Sequence, residues 1–262
     1  MNSHKMKIKF LLPTIAIFLT MMTACKKNTE VYNEEYPVAN FFSLKLGDST
    51  LYRLDSLEFT VDLQDPQVLN SYLVKEFVED TLRDNLNQPI WKIVRYINND
   101  TTGKGFWQFL GQYFISIQQY QVDIIENNLR FIKLKAPVRE NFSWKGNSFL
   151  PNEAYPQYDF SIDNNMAGWN YSYLNVGTTE SLSGNNISFS NICTVEHVNQ
   201  NININPETGD VSNFESFSSN EVSVEKYAVG KGLIYKEQKL WEFQPTRGKK
   251  IGYILKLWRI NQ

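Results

Sequence analysis

Residues 121–135, QVDIIENNLRFIKLK, decide the fold class. Two alternating runs, 121–126 and 129–135, flank Asn127-Asn128. Asparagine tolerates the left-handed backbone that both central positions of a tight two-residue turn demand, and alternation is the period of a half-buried strand. The stretch is therefore a β-hairpin.

Strands recur at hairpin spacing on both sides of it. Downstream, alternation predicts strands at 158–162, 169–176, 187–198, 232–243 and 251–260, the last two joined by the basic turn QPTRGKK. Upstream, Leu44-Lys45-Leu46 and Leu51-Tyr52-Arg53-Leu54 flank the turn signal Gly47-Asp48, giving an opening hairpin, and Leu57, Phe59, Val61 and Leu63 share a face. Residues 65–80 read two ways. Asp65-Pro66 could cap a helix carrying Leu69, Leu73 and Phe77, whereas the β-formers at 71–80, the turn-like DNLNQP and the run at 90–97 favour a hairpin. Residues 98–105, NNDTTGKG, are loop by composition, and 199–220, rich in Asn and Ser, form the longest loop. With no βαβ rhythm, the expectation is an all-β fold: one antiparallel, strongly curved sheet or half-open barrel of about ten strands, with one short helix as the alternative at 65–80.

The N-terminal region carries an address. Lys5, Lys7 and Lys9 precede an apolar run at 10–22, shorter than the roughly 18 residues of a spanning helix, which is the layout of a secretory signal. It ends in Met22-Thr23-Ala24-Cys25, which resembles the bacterial lipobox with Met where Leu is usual. The resemblance implies cleavage before Cys25 and acylation of it; three acyl chains at about 0.8 kcal/mol per buried methylene make a stable membrane anchor. The competing reading is an ordinary signal with an incidental cysteine. The expected organisation is a cleaved signal at 1–24, an acylated cysteine and polar tether at 25–40, and one β domain at 41–262.

Losing the signal removes three of 26 basic residues and no acidic ones, leaving 23 against 28, a net of −5. Such a chain has no electrostatic footprint for nucleic acid. Cys193 is then the remaining cysteine, so stability falls to an apolar core rich in aromatics, with six Trp, 14 Tyr and 17 Phe.

Constellations that carry chemistry are sparse. His197 and Cys193, four apart on one strand, stand about 13 Å from each other, beyond hydrogen-bond reach, which leaves Cys193 buried on a face shared with Ile187, Phe189 and Val195, and His197 at the strand's end. Zinc lacks ligands. Asp163-Asn164-Asn165-Met166-Ala167-Gly168 opens like a calcium loop but lacks the closing carboxylate; Asn205, Glu207 and Asp210 form a weaker candidate; Gly230-Lys231-Gly232 is a turn. No cofactor or catalytic residue is assigned. Trp169, Tyr171 and Tyr173 read either as core packing or as a platform for sugar or lipid, and Glu140, Asp159, Glu180 and Glu196 are the acidic residues near apolar or aromatic neighbours.

Asp48-Ser49-Thr50, Asp55-Ser56-Leu57, Asp80-Thr81-Leu82 and Asp100-Thr101-Thr102 resemble the O-glycosylation sequon of exported Bacteroidota proteins, which implies modification at Ser49, Ser56, Thr81 and Thr101, three of them at predicted turns. Larger segments, FFSLKLGDSTLYRLDS, YLVKEFVEDTLRDNLNQPIWKIVRYI, ENNLRFIKLKAPV, FSWKGNSF, EKYAVGKGLIYKEQKLWEFQP and IGYILKLWRIN, are similar to a family of uncharacterised Bacteroidota lipoproteins with no established activity. The resemblance implies an outer-membrane lipoprotein, with the periplasmic and surface faces both open. Two functions follow. The first is a non-enzymatic binding or carrier module for a hydrophobic or amphipathic ligand, or for an envelope partner protein. The second is a glycan-binding or glycan-processing lipoprotein, in which two carboxylates would converge beside Trp169 or Tyr171.

Overall fold

The computed structural model describes residues 35–59, 68–85, 87–152, 154–158, 160, 166–182 and 187–261. The signal, Cys25 and most of the tether lie outside the described residues, as do Val61, Leu63 and Asp163.

Among the described residues, twelve strands form one antiparallel sheet. They are β1 (Ser49–Phe59), β2 (Asn70–Arg83), β3 (Pro89–Asn98), β4 (Gln108–Ile117), β5 (Gln121–Glu126), β6 (Leu129–Lys135), β7 (Ser143–Trp144), β8 (Tyr171–Ser181), β9 (Ser188–Ile202), β10 (Ser218–Ala228), β11 (Gly232–Gln244) and β12 (Lys249–Arg259). The order is β6-β5-β4-β3-β2-β1-β12-β11-β10-β9-β8-β7, so β12 returns beside β1 and the two edges are β6 and β7. The expected hairpin is present as β5 and β6, with Asn127 and Asn128 at φ 52° and 63°. Residues 70–83 are strand and pair with β3, so the hairpin reading holds over them; residues 65–67 lie outside the described set.

The sheet curls until its edges nearly meet. Across the seam the Ile132 amide donates to the Gly146 carbonyl at 2.8 Å, and the Trp144 indole donates to the Ile132 carbonyl at 2.8 Å. The Tyr173 hydroxyl accepts from the Lys135 amide at 3.0 Å and donates to its carbonyl at 2.9 Å, stapling β8 to β6. Closure in this way leaves few unpaired backbone groups at either edge. One end is plugged by the 3-10 turn Val38–Phe41, whose Val38 and Phe41 are fully buried among Val122, Leu134 and Val138. Gly232, at φ 70°, makes room for Phe42 there: an added Cβ would lie 3.1 Å from that ring.

Several expectations are corrected. Residues 44–46 are not strand. Asp48 donates back to the Lys45 carbonyl, and Gly47 and Asp48 then bond Val78, so β1 takes β2 as its partner while burial of Val38 and Phe41 draws the preceding chain into the barrel end. At 158–162 the described residues are not strand either; Pro156–Tyr158 is a 3-10 turn that packs the Tyr158 ring, tilted, against Tyr253 at 5.3 Å. Strands β4, β7 and β10 join those expected, giving twelve rather than about ten. The long loop shrinks to 203–217, because Ser218, Ser219 and Asn220 are buried in β10 and the loop folds Val211 against Phe59, Trp241 and Phe243 on the outer wall.

Candidate functional site

Period-two alternation sends one face of each strand inward, and the inward faces line a cavity of about 220 Å³. One wall is apolar, formed by Leu54 of β1 with Leu255 and Leu257 of β12, and by Val74 and Val78 of β2. Charged inward positions interrupt and flank it: Glu76, between Val74 and Val78 on β2, Arg95 beside it on β3, Glu126 on β5, Lys133 on β6, Glu225 on β10 and Lys236, the register partner of Leu257, on β11, while Asp48 and Lys231 add one exposed charge of each sign.

Burying charge demands partners, and each of the inward charges has one. Arg95 Nε lies 2.8 Å from Glu76, its other arm reaches Glu126, and its guanidinium sits 4.2 Å from the centre of the Tyr113 ring. Tyr113 donates to the second oxygen of Glu76 at 2.9 Å. Glu225, fully buried, meets Lys133 at 2.8 Å and Lys236 at 3.6 Å through one oxygen, and the Tyr227 hydroxyl and His197 through the other. Burial pushes the Glu225 carboxyl up, but Lys133, His197 and Lys236 more than offset it and hold the group well below the usual carboxylate range. The same burial lowers Lys133, against the pull of Glu225. Because Lys133 stands on the edge strand β6 and Glu225 on β10, this pair also ties the two sides of the seam.

His197 is not at the strand's end as expected. Ser223 pairs with Val198 and Val224 with Glu196, so His197 is the extra residue of a β-bulge in the middle of β9. Its ring stacks on Tyr171 at 3.8 Å, Nδ1 lies 2.9 Å from Ser223 Oγ, and Nε2 lies 3.4 Å from Glu225, an electrostatic contact longer than a good hydrogen bond. Burial pushes the imidazole down to about 4, so it is neutral near pH 7. Serine, histidine and carboxylate stand in line, yet Ser223 is wholly buried and its Oγ also accepts from Gln238 at 3.2 Å, so the hydroxyl meets no substrate. Cys193 is buried as expected and shares its core with Val195 but not with Phe189. Asn191, at φ 52°, interrupts the alternation and turns Phe189 to a separate cluster with Ile192 and Ile234.

Trp169, Tyr171 and Tyr173 are all buried, and Trp169 precedes β8 rather than lying on it. Trp169 and Tyr171 line the cavity; Tyr171 donates to Asn147 at 2.6 Å, while Tyr173 serves the seam. The acidic residues singled out in the sequence do not gather there. Glu140 is exposed, Glu180 pairs with Lys226, Glu196 accepts from Asn199, and Asp159 lies outside the described residues. Asn205 and Asp210 are spent on their own turn and on Lys250. Of the sequon positions, Thr101 sits in a turn as expected and Ser56 within β1, whereas Ser49 and Thr81 lie within strands β1 and β2, contrary to the turns expected there.

Glu76, Arg95, Glu126, Lys133, Glu225 and Lys236 went unassigned from sequence. Strand parity could have found them: Val74-Lys75-Glu76-Phe77-Val78 places Glu76 in step with two apolar inward residues, and Phe131-Ile132-Lys133 does the same for Lys133.

The fold and site define a nearly closed antiparallel β-barrel with a charged internal cavity. No known protein family and no curated protein matches the chain. Among solved structures it is similar to a chain from Bacteroides fragilis NCTC 9343 described as an exported protein with a YmcC-like fold, at 12% identity and TM-score 0.37 over 84% of this chain and 97% of that one. A chain described as a lipoprotein from Parabacteroides distasonis ATCC 8503 is similar over the same shares, at 12% identity and TM-score 0.33. Likeness at this level carries no argument, and the reading of the barrel rests on its own strand order and lining.

Proposed function

We propose that the chain is a membrane-anchored lipoprotein of the bacterial envelope, tethered through Cys25 to the outer membrane, whose barrel holds an amphipathic ligand without transforming it. The observation that carries this reading is the cavity of about 220 Å³, lined by an apolar strip on β1 and β12 with charged side chains on the strands flanking it. Each of the three glutamates facing it carries a counter-cation, which suits holding a ligand better than moving protons.

Native mass spectrometry of the full chain, released from membranes in mild detergent, is expected to show a co-purifying lipid-sized mass besides the covalent acyl chains on Cys25. A chain that emerges empty and takes up no apolar fluorescent probe would overturn the reading. The anchor has its own readout: Cys25→Ser should abolish the acyl mass and release the domain from the membrane fraction.

A further inference from the structure

Apart from Asp48 and Lys231, which are exposed to solvent and opposite in sign, the cavity charges fall into two groups with opposite imbalance. In one, a single guanidinium, Arg95, is shared by two carboxylates, Glu76 at 2.8 Å and Glu126. In the other, a single carboxylate, Glu225, is shared by two ammonium groups, Lys133 at 2.8 Å and Lys236 at 3.6 Å. With His197 neutral, the first group has one negative charge in surplus and the second one positive. Arg259 lies outside the lining, bonded to the carbonyls of Lys231 and Asn261, and its charge acts on Glu76 and not on Glu126, so the unanswered negative charge of the first group is that of Glu126.

Each surplus rests on the member nearest open space. The side chains of Glu126 and Lys236 keep 32% and 24% exposure, against 9%, 8% and 2% for Glu76, Lys133 and Glu225. Glu126 spends one oxygen on Arg95. Among the described residues, Lys236 reaches only a carboxylate oxygen that Lys133 already holds more closely.

We propose that the cavity takes a zwitterionic group, its anionic part at Lys236 and its cationic part at Glu126, with attached hydrocarbon against Leu54, Leu255 and Leu257. This rests on the ligand-holding function proposed above and names the ligand class. An uncharged ligand would displace water from both poles and return nothing, and a simple anion would answer Lys236 while adding to the surplus at Glu126. A zwitterion answers both. A lipid headgroup and a free solute share this chemistry, and the test separates them.

The full chain in detergent micelles is offered equal amounts of phosphatidylethanolamine, phosphatidylglycerol, diacylglycerol and free phosphoethanolamine, and the bound masses are read by native mass spectrometry. The zwitterionic lipid is expected to be retained about tenfold over each of the others. Glu126→Gln, which removes the surplus negative charge with little change of shape, should abolish the discrimination against the anionic lipid. Lys236→Gln should weaken the preference over diacylglycerol severalfold, Glu126 still receiving the cationic part, and both variants should melt within a few degrees of the parent.

Equal retention of anionic or uncharged lipid, or an unchanged ranking in both variants, overturns the proposal. Free phosphoethanolamine held as tightly as the lipid overturns its hydrocarbon half. A parent chain that retains none of the four probes, while still taking up a purely apolar one, defeats the headgroup assignment alone. A chain that takes up nothing defeats the ligand-holding function itself.

Discussion

His197 shows how one side chain couples the core to pH. Ser223, Tyr171 and Glu225 touch it, Lys133 and Lys236 stand beyond Glu225, and burial pushes its imidazole down to about 4. The unfolded chain, with an ordinary value of about 6.5, binds that proton first as pH falls. The stability linked to His197 is thus complete above about pH 6.5 and is lost between about 6.5 and 4. Glu221 acts in the opposite sense. Burial, helped by Glu242, pushes its carboxyl up to about 7, so its contribution is complete below about 4.5 and is lost as pH rises through about 7. A wild-type profile sums the two, and the His197 part is isolated by difference. Between pH 7.5 and 4.5, the advantage of wild type over His197→Gln in urea unfolding should shrink by about 2–3 kcal/mol. Parallel profiles for the two proteins would refute the assignment. Glu225 adds its own loss only at lower pH, since its ordinary value is 4.5 and its folded one lies well below.

Among the elements, the seam between β6 and β7 is where closure depends on few bonds. Trp144→Phe keeps an aromatic ring but strands the Ile132 carbonyl that the indole serves at 2.8 Å, and should cost about 1–2 kcal/mol from that lost bond. Exchange of the Ile132 amide, bonded to Gly146 across the same seam, should quicken with it. Unchanged exchange would mean that the seam is held elsewhere. The elements also differ in how plainly the chain declares them. The β5–β6 hairpin follows from two asparagines and clean alternation. Strand β4 hides because a bulge opposite Arg95 and Tyr96 breaks its period at Leu110 and Gly111 and leaves Phe109 exposed. Strand β10 hides because it opens with Ser218, Ser219 and Asn220, loop-like in composition yet buried against the strands beside them.

For the whole molecule, the cavity exists because twelve strands enclose more space than their inward side chains fill. Leu257→Phe projects extra volume from the apolar wall into that space. It should reduce uptake of an apolar fluorescent probe severalfold while leaving the melting temperature unchanged or slightly raised. Lost stability with undiminished uptake would place the binding space elsewhere. Alternation, turn asparagines and the lack of helical periodicity determined an all-β, antiparallel, curved sheet from sequence alone, because they depend on neighbours a few residues apart. Tertiary structure decided what those local signals do not contain: that β12 pairs with β1, that His197 occupies a bulge, and that Glu76, Glu126 and Glu225 meet Arg95, Lys133 and Lys236 inside. Partners such as Lys133 and Glu225 lie 92 residues apart along the chain, and only the closed sheet brings them within 2.8 Å.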